Sequence, residues 1–319
     1  MIDYNKDNKD NKNNKNNKNY NPLVSILVNC YNGEKYLKEA LDSVKDQTYD
    51  NWEIIFWDNK SIDNSLNIVR NYKDKRIKCF ISKTHIPLYH ARNLALNESK
   101  GELIAFLDVD DYWLKNNLNE HVKIFRNNKI GFSNANFFYK NEKNKKKWQA
   151  LRGIKSSGYV LDDLLKNYNV ALVTLVMRKS ILLTNNFSFN NKYNYYGDFD
   201  LVIKYASVTK LSRIDKCLAI YRIHENNLSK KNYNDQIIEL EDWEKINSKV
   251  RDISKSANYK WIKIKIYYLK GIREIYLGNR INSFKFSLKI PISIFKFKLL
   301  IALIIPLNIL TKVRLLGGL

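Results

Sequence analysis

The feature that most narrows the possible folds is a rhythm. Between Pro22 and Leu107, short apolar runs rich in β-branched residues alternate with stretches of helical period, about every 20–25 residues. Leu23–Val28 is the first run, bounded by Pro22 and Asn32-Gly33, and Tyr36, Leu37, Ala40, Leu41 and Val44 follow at helical spacing. Trp52–Trp57, Ile77–Ile81 and Glu102–Leu107 are the next strands. Between them, Ser61 is placed to cap a helix through Leu66 and Val69, and Leu88–Asn97 reads as another helix. Such alternation builds an α/β domain around a mostly parallel sheet. Ligands in these sheets bind beyond the carboxyl ends of the strands, where Asn29, Asp58 and Asp108 all fall.

Beyond Leu107 the texture loosens. Lys140–Lys147 reads as a basic loop, Val173–Arg178 as a strand, Asp200–Ser207 as a helix and Leu218–Ile223 as a strand ending at His224. After Asn226 the chain turns helical and basic, with an apolar stripe at Trp261, Ile264, Tyr268, Ile272 and Ile275 that Gly278 stops. Residues 1–20 are Asn/Lys/Asp repeats too polar to offset the entropy of ordering, so they read as a disordered tail. Three regions are expected: this tail, an α/β domain over 21–228 and a helical basic region over 229–319.

The chain sets 55 Lys and Arg against 32 Asp and Glu, a net charge of +23 that calls for a polyanionic partner: nucleic acid, an anionic membrane surface or phosphorylated substrates. From Ile253 onward there are 13 basic residues and one acid, Glu274, so about half of the excess sits at the C-terminal end. Cys30, Cys79 and Cys217 are odd in number and far apart, which excludes a zinc ribbon or redox dithiol and suits three buried, reduced thiols. No apolar signal segment opens the sequence, and a cytoplasmic location is expected.

Against this basic background Asp108-Val109-Asp110-Asp111 closes the fourth strand. A helix N-terminus would account for Asp111 but not for Asp108 or Asp110. A calcium loop fails, because its sixth position would be Trp113 instead of Gly and its twelfth Asn119 instead of Glu. A metal–diphosphate site fits: Mg²⁺ or Mn²⁺ takes one or two carboxylates and completes its shell with phosphate oxygens and water.

Four segments occur in order: PLVSILVNCYNGEKYLKEALDSVKDQTYDNWEIIFWDNKSIDNS, ARNLALNESKGELIAFLDVDDYW, GDFDLVIKYA and YRIHENNLS. Together they resemble the family 2 glycosyltransferases of the GT-A fold over about residues 22–228. The resemblance implies an inverting, nucleotide-sugar-dependent hexosyl- or N-acetylhexosaminyltransferase, with a UDP-sugar as the expected donor. Tyr31 matches a position facing the nucleotide, and Asp58 one that accepts from base or ribose. Asn59 stands where the family often has a second acid; Asp63 reads as a support for the turn. Arg92 matches an arginine facing the donor or pairing with an acid, although the usual glycine before its helix is replaced by His85-Ile86-Pro87-Leu88. Asp108 and Asp110 match the D-x-D motif, Asp108 toward the sugar or ribose and Asp110 on the metal. Asp198 matches the catalytic base, with Gly197 where an acid is usual, and Asp200 reads as structural. His224 matches a histidine near the metal or diphosphate.

The C-terminal stretch FKFSLKIPISIFKFKLLIALIIPLNILTKVRLL mixes apolar residues, lysines and Pro291 and Pro306. Its longest apolar run, Leu299–Leu307, is too short to span a bilayer. With Lys285, Lys289 and Lys296 on one helical face it reads as an interfacial anchor on the inner, anionic leaflet; a packing helix with a solvated basic face is the other reading. A saccharide or lipid-linked acceptor at that surface implies surface-polysaccharide or lipopolysaccharide assembly. No nucleic-acid partner is expected, because the basic residues follow the apolar C-terminal segments and form no recognition module. A nucleotidyltransferase using the same carboxylates, and a non-catalytic anion- or membrane-binding protein, stay open.

Overall fold

The computed structural model describes residues 20–150, 157–225, 227, 232–307 and 309–310. The expected tail lies outside them, apart from Tyr20, as do Asn226, Leu228 and Ser229 of the YRIHENNLS segment and the last nine residues. The chain opens with β1 (Val24–Cys30), α1 (Glu34–Lys45), β2 (Trp52–Asp58), α2 (Ser65–Arg70), β3 (Ile77–Ile81), α3 (Leu88–Glu98) and β4 (Leu103–Phe106). These four strands lie parallel in the order β3-β2-β1-β4. β1 is buried along its whole length, as a central strand covered on both faces must be, and this explains its run of apolar residues. β4 starts beside it only because residue 101 is glycine: a Cβ there would sit 2.5 Å from the Ser25 backbone nitrogen.

The sheet then changes direction. After β5 (Tyr112–Trp113) and α4 (Asn117–Phe125) come β6 (Ile130–Asn141), β7 (Lys147–Gln149), α5 (Leu161–Lys166), β8 (Leu175–Arg178), α6 (Lys179–Thr184), α7 (Gly197–Ala206) and β9 (Lys210–Ile223). β8 joins β4 antiparallel, β6 joins β8 antiparallel, β9 runs parallel to β6, and β5 closes the far edge antiparallel to β9. The whole is a mostly parallel α/β sheet flanked by helices, as expected.

Several local expectations are corrected. Lys140–Lys147 is not a loop but the tip of a β-hairpin, since β6 and β7 pair through Lys140 and Lys147. β9 begins at Lys210, not Leu218, and α7 at Gly197, not Asp200. Ser61 does not cap α2: Asn64 precedes the helix, and the Ser61 hydroxyl accepts from the Asn32 backbone N–H at 3.0 Å. Of the cysteines only Cys30 is buried; Cys79 is exposed on edge strand β3 and Cys217 is intermediate.

The helices after the sheet are α8 (Tyr233–Asn247), α9 (Arg251–Ser254), α10 (Lys260–Tyr276), α11 (Arg280–Leu288) and α12 (Ile294–Ile304). Leu240, Trp243, Ile262 and Ile266 pack in one continuous core with Phe199, Val202 and Tyr205 of α7. Trp243 is fully buried, and its indole N–H donates to Asp200 Oδ1 at 3.0 Å. Ile264, Tyr268, Ile272 and Ile275 of the expected stripe form a second cluster with Ile290, Leu299 and Ala302. Gly271 lets α12 approach α10: a Cβ there would meet Leu299 Cδ2 at 2.5 Å. Lys285 lies on α11 and Lys296 on α12, on either side of Pro291, so no single helix presents Lys285, Lys289 and Lys296 together. Among the described residues no helix is long and apolar enough to cross a membrane.

Trp243→Ala should cost about 3–5 kcal/mol, the usual range for emptying a buried aromatic site. A chain ending at residue 228 should lose cooperative unfolding altogether, because it bares Phe199 and Val202. Denaturant titrations followed by circular dichroism check both; a cooperative transition in the shortened chain would show that the helices merely decorate the sheet.

Candidate active site

The carboxyl ends of β1, β2 and β4 open onto one crevice. At the end of β1, Tyr31 is half exposed, and its ring lies 4.2 Å from that of His85. Asn32 takes a positive φ of 53°, and Gly33 follows with no room for a Cβ: Cys30 Sγ would be 2.9 Å and Val109 Cγ2 3.0 Å away. The β1 turn therefore packs directly on the loop that carries Asp108 and Asp110. The first N–H groups of α1 are taken up from the α2 side: Gly33 N–H donates to Ser65 Oγ at 2.9 Å and Glu34 N–H to Asp63 Oδ2 at 2.9 Å. Asp63 thus supports the turn, as its position suggests.

Asp58, at the end of β2, is fully buried. Its Oδ2 accepts from Ser61 N–H at 3.0 Å, while Oδ1 has no hydrogen-bond partner among the described residues. A buried carboxylate oxygen without a donor is costly, so Oδ1 is an acceptor still wanting one. Asn59 is fully engaged: its side chain donates to Ile86 O at 2.7 Å and accepts from Ile86 N–H at 3.1 Å. That clasp, with Pro87 preceding α3, is how His85-Ile86-Pro87-Leu88 replaces the usual glycine turn.

Helix α3 brackets two carboxylates with residues one turn apart. Arg92, buried, pairs with Asp108 through Nη2–Oδ1 at 2.6 Å, and the Tyr89 hydroxyl donates to Asp198 Oδ1 at 3.3 Å. Asp198 lies in the first turn of α7 and also accepts from the Phe199 N–H at 2.8 Å. Burial lifts its pKa above the ordinary carboxylate value, against the opposing pull of Arg92 and these hydrogen bonds. Gly197 has a physical reason here: a Cβ would come within 2.5 Å of the Tyr89 ring, so the tyrosine occupies the room a side chain would need. Asp200 is structural, held by Lys204 at 2.6 Å and by the Trp243 indole.

Asp110 Oδ2 lies 2.8 Å from His224 Nε2, although 114 residues separate them. β5 follows the acidic loop immediately and pairs with β9 just before His224 (Tyr112 with Ile220, Trp113 with Ala219), and Asp111 Oδ1 accepts from the Arg222 N–H at 2.9 Å. Asp111 is buried; burial and then the charges of Asp110 and Asp108 hold its pKa well above the usual range. Its work is to fasten β9. Asp110 and His224 would offer a divalent ion one carboxylate and one imidazole; among the described residues no cluster of three or more such side chains forms.

The Glycosyl transferase family 2 model matches residues 25–183. A UDP-Glc:α-D-GlcNAc-diphosphoundecaprenol β-1,3-glucosyltransferase, WfgD of Escherichia coli, is 34% identical over 175 residues, covering 54% of this chain and 67% of the relative. The chain belongs to glycosyl transferase family 2. Among solved structures, S. aureus TarS 1-349 in complex with UDP-GlcNAc aligns with a TM-score of 0.60 at 21% identity, over 85% of this chain and 76% of that one. Mannosyltransferase PcManGT of Pyrobaculum calidifontis, in complex with GDP-Man and Mn²⁺, gives 0.60 at 17%, over 94% and 86%. At such identities the structures establish the fold, and the fold is the GT-A architecture. The nucleotidyltransferase and non-catalytic readings fall with family membership: this is a glycosyltransferase.

The residues expected at the glycosyltransferase's site therefore converge in two groups, Tyr31 with Asp58, and Arg92, Asp108 and Asp198 around α3, with Asp110 and His224 beside the second. Sequence reasoning passed over Tyr89. Its place three residues before Arg92, on the same helical face, was the available signal.

Asp198→Asn should stabilise the fold. A carboxyl whose folded pKa is raised favours folding at low pH and loses that contribution as pH rises through the folded value. The neutral amide escapes the loss, so the variant's advantage in chemical denaturation should be largest at neutral pH and shrink on acidification. A variant less stable than wild type at pH 7 would contradict the burial argument.

Proposed function

We propose that this glycosyltransferase moves a hexosyl or N-acetylhexosaminyl group from a UDP-sugar to a hydroxyl of a saccharide or lipid-linked acceptor, with inversion, in the assembly of a surface polysaccharide. The observation that carries the reading is Asp198: a buried carboxylate with raised pKa, tied through α3 to the Asp108 pair at the strand ends. A base is most effective when its pKa approaches the working pH, and burial moves Asp198 that way. Asp198 accepts the proton of the acceptor hydroxyl as that oxygen attacks the anomeric carbon. The bond from that carbon to the diphosphate breaks in the same step, so a single displacement inverts the centre. Tyr89 and the Phe199 N–H hold the Asp198 carboxylate in place. Asp58 Oδ1 accepts from the base or ribose, Tyr31 stacks on the base, and Arg92 orients Asp108 toward the sugar or ribose. Asp110 and His224 would hold Mn²⁺ or Mg²⁺, which when bound supplies positive charge to the departing diphosphate. The UDP-Glc donor and lipid-linked acceptor named for WfgD and the UDP-GlcNAc bound to TarS support the choice of substrates.

The same reading puts the enzyme on the inner face of the cell membrane. Ile292, Ile294, Phe297, Ile301 and Ile304 are exposed around α12, beside Lys296 and Lys298, which suits an interfacial contact with anionic lipid. Exchanging Ile292, Phe297, Ile301 and Ile304 for serine should release the protein from anionic vesicles in a flotation assay with donor hydrolysis intact. Unchanged flotation would remove the membrane role.

Asp198→Asn should lower transfer by ~10²–10⁴-fold, the range for loss of a positioned base. Donor affinity should stay within a few-fold, because other residues hold the donor. Asp110→Ala should abolish the Mn²⁺-dependent part of donor binding, read by calorimetry with and without chelator. Near-normal transfer by the first variant would falsify the base assignment; chelator-insensitive donor binding in wild type would remove the metal.

A further inference from the structure

Asp198 also lines a cavity of about 340 Å³ between α7 and the C-terminal helices. This lies within the range of small-molecule sites, about 300–1,000 Å³. Asp198 lines it, with Tyr168, Tyr196, Tyr268 and Phe295 as an aromatic wall and Lys265 as its basic residue. The Lys265 ammonium faces the Phe199 ring at 5.8 Å from the centroid, and among the described residues no carboxylate lies within ion-pair distance of it. Burial pulls its pKa down to about 8, so the amine is still mostly charged at neutral pH. Lys265 is partly buried and makes no ion pair among the described residues, so its charge is available to an anion entering the cavity.

We infer that this cavity is the acceptor subsite and that it takes a glycosyl phosphate or diphosphate, with the sugar ring against the aromatic wall, a hydroxyl at Asp198 and the phosphate on Lys265. The inference rests on the reading of Asp198 as the base. The apolar C–H face of a pyranose suits the negative faces of aromatic rings, and a lysine binds phosphate as a point charge. Phe295 belongs to α12, the helix that also exposes Ile294, Phe297 and Ile301, so an alkyl chain leaving the phosphate has an apolar surface to follow. Lys265 and Tyr268 come from α10 and Phe295 from α12, so elements beyond the sheet select the acceptor.

Three probes test this with UDP and Mn²⁺ present to fill the donor side: octyl α-GlcNAc diphosphate, methyl α-GlcNAc diphosphate and the uncharged octyl α-GlcNAc glycoside. Calorimetry on wild type should show at least about tenfold preference for the octyl diphosphate over the uncharged glycoside. Lys265→Met should bring the two within about twofold while UDP affinity is unchanged, and Lys265→Arg should keep the preference. Tighter binding of the octyl than of the methyl diphosphate identifies a lipid-linked source; equal binding identifies a free glycosyl phosphate. No preference in wild type, a preference that survives in Lys265→Met, or no glycoside binding by a protein that binds UDP overturns the inference. Asp198→Asn keeps the two readings apart: if it transfers normally, the base reading fails, while the Lys265 variants still judge the phosphate site.

Discussion

The site depends on one small piece of pairing. Two residues of β5 meet β9 at the far edge of the sheet, and the Asp111 carboxylate receives the Arg222 N–H beside them. Arg222 is itself buried, its guanidinium lying over the rings of Tyr36 and Tyr112 and pairing with Glu39 at 2.5 Å. Arg222 is buried while Glu39 is half exposed, so the rings and the carboxylate together fix where the Arg222 side chain sits. This clamp therefore acts as a register pin. It brings the loop after β4 and the end of β9 to a fixed separation, and Asp110 and His224 meet because of it.

Helix α3 does the corresponding work on the other side. Arg92 and Tyr89 reach two carboxylates on different elements, so α3 ties Asp108 to Asp198. The opposing influences on Asp198 are both visible: burial raises its pKa, and Arg92 and two hydrogen bonds restrain the rise. A carboxylate kept in this state costs stability, which is the usual mark of a group retained for chemistry.

The C-terminal helices serve two purposes at once. Leu240 and Trp243 complete the core below α7, and Leu299 seats α12 on α10 at Gly271. The terminal segment thus has a packed inner face and an exposed apolar outer one. The position of Asp198 depends on this packing, because Asp200, two residues along on α7, is held by Trp243.

Local pattern alone determined the parallel half of the sheet. Leu23–Val28, Trp52–Trp57, Ile77–Ile81 and Glu102–Leu107 correspond to β1–β4 within about two residues, because β1, β2 and β4, buried on both faces, must be apolar and β3 at the edge keeps its β-branched residues. The ordered motifs also singled out Tyr31, Asp58, Arg92, Asp108, Asp110, Asp198 and His224. The antiparallel half was read less well: β9 is longer than expected and the β6–β7 hairpin stands where a basic loop was expected, since their partly exposed, Lys- and Asn-rich residues carry no clean alternation. Asn59, Tyr89 and Lys265 were decided by tertiary structure alone. Each gains its meaning from a partner or cavity distant in sequence (the Ile86 backbone, the Asp198 carboxylate, the cavity beside α7), and contacts of that kind leave no period or spacing along the chain.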